Sequence, residues 1–220
     1  MAQASPQQRH SWTPLANALP ESSLPLFPLQ AVLFPGGLLS LKVFEARYLD
    51  LVAQCLREQR PFGVVALRRG SEVRDKRVRV EFESTGVIAE LLDVDSAQPG
   101  ILQVRCRGAS RFALASSQQR EDGLWLAEPA ALPDDAAVRP QAALRGAVQG
   151  LANAIATLDA QGTRQFLQPY EFDNAGWVAN RWCEILPIPL SAKQKLMELS
   201  DPSVRLELVA EFLRGKGVVT

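Results

Sequence analysis

Histidine is almost missing from this chain: His10 is the only one among 220 residues. Histidine is the usual general base near neutral pH and the commonest metal ligand. Its scarcity argues against Ser-His-Asp catalysis, Cys-His catalysis and His-rich metal sites together. Cysteine is scarce as well. Cys55, Cys106 and Cys183 lie far apart, with no C-x-x-C. Without paired spacing they make no zinc site, and an odd number of isolated thiols fits a reducing compartment. Neither sign of charge is in excess. Lys plus Arg (24) equals Asp plus Glu (24), so no global field draws the chain to nucleic acid or to an anionic membrane. No apolar run approaches the ~20 residues that span a bilayer, and the first 23 residues hold no apolar h-region of a secretory signal. The expectation is a cytoplasmic protein without metal, cofactor or membrane contact.

Nucleotide-binding signatures are missing too. Gly215-Lys216 has Ala210 where a Walker A loop needs glycine, and Gly217 follows it. No G-x-G-x-x-G follows a strand, and no tandem repeat occurs at solenoid periods.

What is present is ordinary globular material, 47% apolar, enough for a core in one large domain or two small ones. Met1–Ser23 is rich in Gln, Ser, Pro and Ala and reads as a flexible tail. Leu24–Val52 is far denser in structural signals. Pro25, Pro28 and Pro35 fix φ and remove donors, and Gly36-Gly37 permits a tight turn. Leu39, Leu41 and Val43 alternate with Ser40 and Lys42, which predicts a half-buried strand. From Phe44 the period becomes helical through Tyr48, Leu49, Val52, Cys55 and Leu56, predicting a helix over 45–58.

Residues 24–130 otherwise read as β-rich. Strands are expected at 62–67, 77–82, 86–94, 101–107, 111–117 and 124–129, separated at Gly70, Pro99-Gly100, Gly108 and Asp122-Gly123. Residues 131–220 read as helical. Pro133-Asp134-Asp135 opens that segment, and Leu144, Val148, Leu151, Ile155 and Leu158 follow a helical period. A further helix is expected at 174–185, ended by Pro187 and Pro189. Ser191-x-x-Gln194 has the form of a capping box, and Asp201-Pro202 that of an N-cap followed by proline. The division is therefore a tail (1–23), a β-rich unit (24–130) and a helical unit (131–220).

The block PLFPLxxVLFPGxxLxLxxFExRYLxxV, over Leu24–Val52, resembles the opening of the Lon protease N-terminal, substrate-binding domain. The likeness continues through PFGVVAL at Pro61–Leu67. It is echoed at TGVIAEL (85–91), GASRF (108–112), WVANRWCEIL (177–186) and the C-terminal helices. The resemblance implies an α+β fold, a PUA-like β pseudobarrel with an embedded helix followed by a helical bundle. It implies binding of unfolded polypeptide or a protein partner, with a homodimer left open. Full-length Lon proteases add an ATPase and a Ser-Lys protease; these 220 residues contain neither pattern, so the expectation is a stand-alone, non-catalytic binding module.

Seven residues are candidates for that binding: Phe34, Pro35, Leu38, Glu45, Arg47, Trp125 and Trp177. Glu45 and Arg47, in FExRY, admit two readings. A carboxylate at a helix start complements exposed N–H groups while Arg47 pairs with an acid elsewhere, or both face a ligand groove. Trp125, Trp177 and Trp182 are core groups or groove walls. Two rival functions remain: a small-molecule site or enzyme in a barrel pocket, using Glu45 or Glu90, and an RNA-binding module using Arg68–Arg79. That segment holds six basic and two acidic residues. It lacks interleaved aromatics for base stacking and also reads as a charged hairpin that resists aggregation.

Overall fold

The computed structural model describes residues 23–72 and 79–219. The expected tail, apart from Ser23, and Val73–Val78 of the basic segment lie outside the described residues.

Strand β1 (Leu24–Leu29) leads through the Pro35-Gly36-Gly37 turn into β2 (Leu38–Val43) and then α1 (Ala46–Glu58). Both edges of β1 are in use, β6 over Leu24–Leu26 and β3 over Leu26–Leu29. Each edge is covered for only half its length, which makes room for Pro25 and Pro28 without their N–H groups. Helix α1 is the crossover that parallel pairing of β1 with β3 (Phe62–Arg69) requires. It buries Tyr48, Leu51, Val52 and Cys55, and Tyr48 stacks on Phe27 at 3.9 Å between centroids.

The next two strands are long. β4 runs over Glu81–Gln98 and β5 over Ile101–Gln119, joined at Pro99-Gly100. Each absorbs two of the strands expected from sequence, and the first of those, 77–82, lies partly outside the described residues. Gly108, a break between strands on the sequence pattern, sits mid-strand, where the Phe34–Gly37 turn docks. Gly36 N donates to Gly108 O at 2.8 Å, and Gly108 N donates to Gly37 O at 2.9 Å. A Cβ on Gly108 would overlap the Phe34 carbonyl oxygen. The glycine thus permits close approach rather than a turn.

β6 (Trp125–Ala131) pairs with β1 on one side and with the far half of β5 on the other. The order β5-β4-β3-β1-β6 therefore returns to β5. The sheet is barrel-like without being a regular barrel, because β2 joins only the first half of β5 and its other edge has no strand partner among the described residues. The architecture is mixed α+β, as expected.

The helical part comprises a 3-10 turn (Ala142–Leu144), α2 (Arg145–Ala160), α3 (Ala175–Ile185), α4 (Leu190–Glu198) and α5 (Pro202–Gly215). Asn174 caps α3 by accepting from Gly176 N and Trp177 N. Asp201 caps α5 as its sequence suggests, accepting from Ser203 N and Val204 N with Pro202 in the first turn. Two expectations need correction. α4 begins at Leu190 with Pro189 at the cap position and no side-chain cap, so Ser191 is already helical. Gln194, the supposed box partner, is buried and donates to Thr85 O of β4 and to Glu198. Pro133-Asp134-Asp135 starts no helix either; regular structure resumes at Ala142, and Asp135 is an ion-pair hub.

One hydrophobic cluster runs from Phe27, Phe34, Val52 and Val104 of the β part to Leu151, Trp182 and Leu206 of the helical part. A smaller one gathers Leu24, Leu26, Val65, Ile88, Phe112 and Ala127.

Candidate functional site: a groove between sheet and helices

The Phe34–Gly37 turn, which ends at β2, rests on α3. Arg181 reaches out of α3 and donates from Nη2 to Pro35 O at 2.9 Å. It also grips Glu184, one turn on, through Nε to Oε2 (2.8 Å) and Nη2 to Oε1 (2.6 Å). Arg181 is 1% exposed, so the fork is desolvated and geometrically fixed. A Cβ on Gly37 would overlap Glu184 Oε1, so the absence of a side chain at that position lets turn and helix meet. Lys193, from α4, donates to the Glu184 backbone oxygen at 3.0 Å.

Beside this contact lies an open groove of about 420 Å³. Gln30, Ala31, Val32, Leu38 and Leu39 form its β wall; Gln165, Glu184, Ile188, Leu190 and Lys193 form its helical wall. Burial pushes the Glu184 carboxyl above its usual value, and the Arg181 charge pulls it partly back.

The sequence candidates separate in space. Leu38 lines the groove. Pro35 is half-buried at its edge and holds Arg181, while Phe34 is fully buried beneath. Glu45 is the N-cap residue of α1 without a side-chain cap bond, and its carboxylate lies 3.2 Å from Arg47. Arg47 packs over the Tyr48 ring and donates to Gly123 O (2.8 Å) and Glu72 O (3.2 Å). Glu72 in turn accepts from the backbone N–H of Gln30, a groove residue. Arg47 is therefore two hydrogen-bonded steps from the groove. Trp177 is buried among Tyr170 and Phe172, with the Arg181 guanidinium 5.6 Å from its ring centroid. Trp125 stands edge-on to Phe82 beside the smaller cluster, away from the groove lining.

Among the rival features, Glu90 is salt-bridged to Arg107 at 2.6 Å. Arg68 and Arg79 lie 3.9 Å from Glu83 and Glu81 respectively. Burial pushes the thiols of Cys55, Cys106 and Cys183 up to about 12, far from nucleophilic use. Among the described residues no three His, Cys, Asp or Glu side chains gather as metal ligands would, and no helix is long and apolar enough to cross a membrane.

Sequence reasoning missed Arg181, Glu184, Lys193, Gln165 and Ile188. The Arg181–Glu184 spacing is a common i,i+3 surface pair, and nothing local marked it as buried. It also missed the second junction of the molecule. Asp135 accepts from Arg205 of α5 and pairs with Arg111 of β5 at 2.9 Å. Arg205 also donates to Leu196 O, Leu199 O and Asn180 Oδ1, and Arg111 to Pro133, Met197 and Leu199 carbonyls.

Fold and groove together define a mixed α+β module in which a barrel-like sheet and a helical bundle share a cleft. The family model of the ATP-dependent protease La (LON) substrate-binding domain matches residues 23–215, and the chain belongs to that family. It is 28% identical over 208 residues to a Lon protease of Paraburkholderia phytofirmans, covering 93% of this chain and 26% of that protein. It is 24% identical to the Lon protease of Xanthomonas oryzae pv. oryzae, covering 92% of this chain and 24% of that protein. The chain thus spans about a quarter of the length of these relatives. Among solved structures, a Lon N-terminal domain protein from Xanthomonas campestris superposes with a TM-score of 0.68 at 31% identity, covering 86% of this chain and 96% of that one. The N-terminal domain of Mycobacterium avium complex Lon protease shares the fold, with a TM-score of 0.56 at 16% identity over 86% of this chain and 97% of that one.

Proposed function

We propose that this chain is a non-catalytic polypeptide-binding module that seats extended apolar segments in the groove between β2 and the α3–α4 connection. The observation that carries this reading is the groove itself. Val32, Leu38, Leu39, Ile188 and Leu190 offer apolar contact, and Leu38 and Leu39 begin β2, whose outer edge has no strand partner among the described residues. An added strand supplies main-chain hydrogen bonds while alternate side chains enter pockets. Gln30 and Gln165 add side-chain amides that can both donate to and accept from a peptide backbone. Ordering a flexible segment offsets much of the contact energy, so binding is weak to moderate.

In this reading Leu38 touches the ligand, and Phe34 and Pro35 hold its wall. Glu45 and Arg47 brace Gln30 through Glu72, and Trp177 braces Glu184 through Arg181. Trp125 serves the sheet. The β-rich and helical units work as one body, since each supplies one groove wall. Unpaired buried thiols support a reducing compartment, the cytoplasm.

The test is fluorescence anisotropy with labelled, permanently unfolded polypeptides against the wild type, Leu38→Asp and Ile188→Asp. Saturable binding that either charge abolishes supports the proposal. Binding no greater than background, or binding indifferent to both charges, rejects it.

A further inference from the structure

The buried charged side chains of the described molecule each meet an opposite charge. Arg47 meets Glu45, Arg107 meets Glu90, and Asp135 sits between Arg111 and Arg205. The groove wall differs. The Glu184 charge is answered from behind by the two-pronged Arg181 fork. Lys193 stands in the lining with its ammonium hydrogen-bonded to the Glu184 backbone oxygen at 3.0 Å, near enough for its charge to favour the Glu184 carboxylate, yet it forms no ion pair among the described residues. Arg181, Glu184 and Lys193 together carry one net positive charge. An ammonium has three donors, and one is used. Its neighbours in the lining, Val32, Leu38, Leu39 and Ile188, are apolar and shed water when covered, which strengthens any charge pair formed there.

This inference rests on the polypeptide-binding reading above. We propose that the groove selects extended apolar segments that carry an acidic side chain, with Lys193 as the specificity-determining residue. A segment laid along the β2 edge runs past the groove in both directions, so the carboxylate is assigned to a side chain rather than to a chain terminus. Lys193 discriminates by pairing with the acid. A basic segment would instead leave two cations facing each other in a partly desolvated cleft, which disfavours the wrong partner.

The probes are short apolar peptides, acetylated and amidated at their ends, in which a single Glu, Gln or Lys is moved along the segment. Anisotropy titrations at low and high salt use the wild type, Lys193→Gln, Lys193→Arg and Lys193→Glu. At its best position the Glu peptide should bind the wild type roughly three- to tenfold more tightly than its Gln counterpart, and salt should narrow the gap. Lys193→Arg should keep the preference, Lys193→Gln should erase it, and Lys193→Glu should favour the Lys peptide. Equal affinity for Glu and Gln peptides in the wild type overturns the inference and leaves the polypeptide reading standing. A preference that appears only with a free C-terminal carboxylate overturns it in favour of a chain end. Failure of every peptide to bind rejects the polypeptide reading and this inference with it.

Discussion

Glu184 is pulled two ways, a carboxyl desolvated by burial yet gripped by Arg181. Its value in the fold lies above that in the unfolded chain, so the folded state favours its protonated form. The sign of the linkage follows: its stability contribution is complete below the unfolded value and fades as pH rises through the raised one. Glu184→Gln lacks that titration. Urea unfolding of both proteins from about pH 4 to about pH 7 should show the wild type losing stability relative to the variant as pH increases. A difference that stays flat, or grows in favour of the wild type, would contradict the assignment. Arg181 and Glu184 were not legible in sequence, because an i,i+3 Arg–Glu pair usually lies on a solvated helix face. Only the approach of the Pro35-Gly36-Gly37 turn, 146 positions away from Arg181, buries this one.

At the scale of elements, sequence periodicity located the β2 alternation, α1, α3 and the Asp201 cap, because each is specified by neighbours within a turn or two. It divided β5 wrongly for a definite reason. The sequence pattern makes Gly108 a break between strands, whereas it lies inside β5 as the docking point of the Phe34–Gly37 turn. Gly108→Ala should therefore lower stability by about 1–3 kcal/mol, the usual cost of overpacking a close contact, as measured by chemical denaturation. A cost within about 0.5 kcal/mol would mean that the turn can move away from β5. In FExRY the place of Glu45 at the helix start was legible, but its pairing with Arg47, in place of an acid elsewhere, was not. Nor was the motif's link to the groove, since Glu72 joins Arg47 to Gln30 through contacts between separate segments.

Beside the Gln194 bond to Thr85, two arginine-centred junctions tie the β part of the molecule to the helical part, the Arg181 contact with the turn and the Arg111–Asp135–Arg205 cluster. The second places one carboxylate between two almost fully buried guanidinium groups. Asp135→Ala should cost about 3–5 kcal/mol, because it leaves buried cations uncompensated. With the shared hydrophobic cluster, these ties predict that far-UV circular dichroism and tryptophan emission of the wild type report a single coincident transition on denaturation. Two separated transitions would show that the β and helical parts unfold independently.

The line from Trp177 to Arg181 to Glu184 crosses from the aromatic interior of α3 to the groove surface. It gives the molecule a built-in optical probe. An indole whose π face lies near a guanidinium senses any displacement of that charge, and a ligand that pulls on Glu184 or Lys193 shifts the charge. Filling the groove should alter the intensity or wavelength of Trp177 emission without any attached dye. Trp177→Phe should silence the signal while Trp125 continues to fluoresce, so that occupancy of the cleft can be followed in the unlabelled protein in real time.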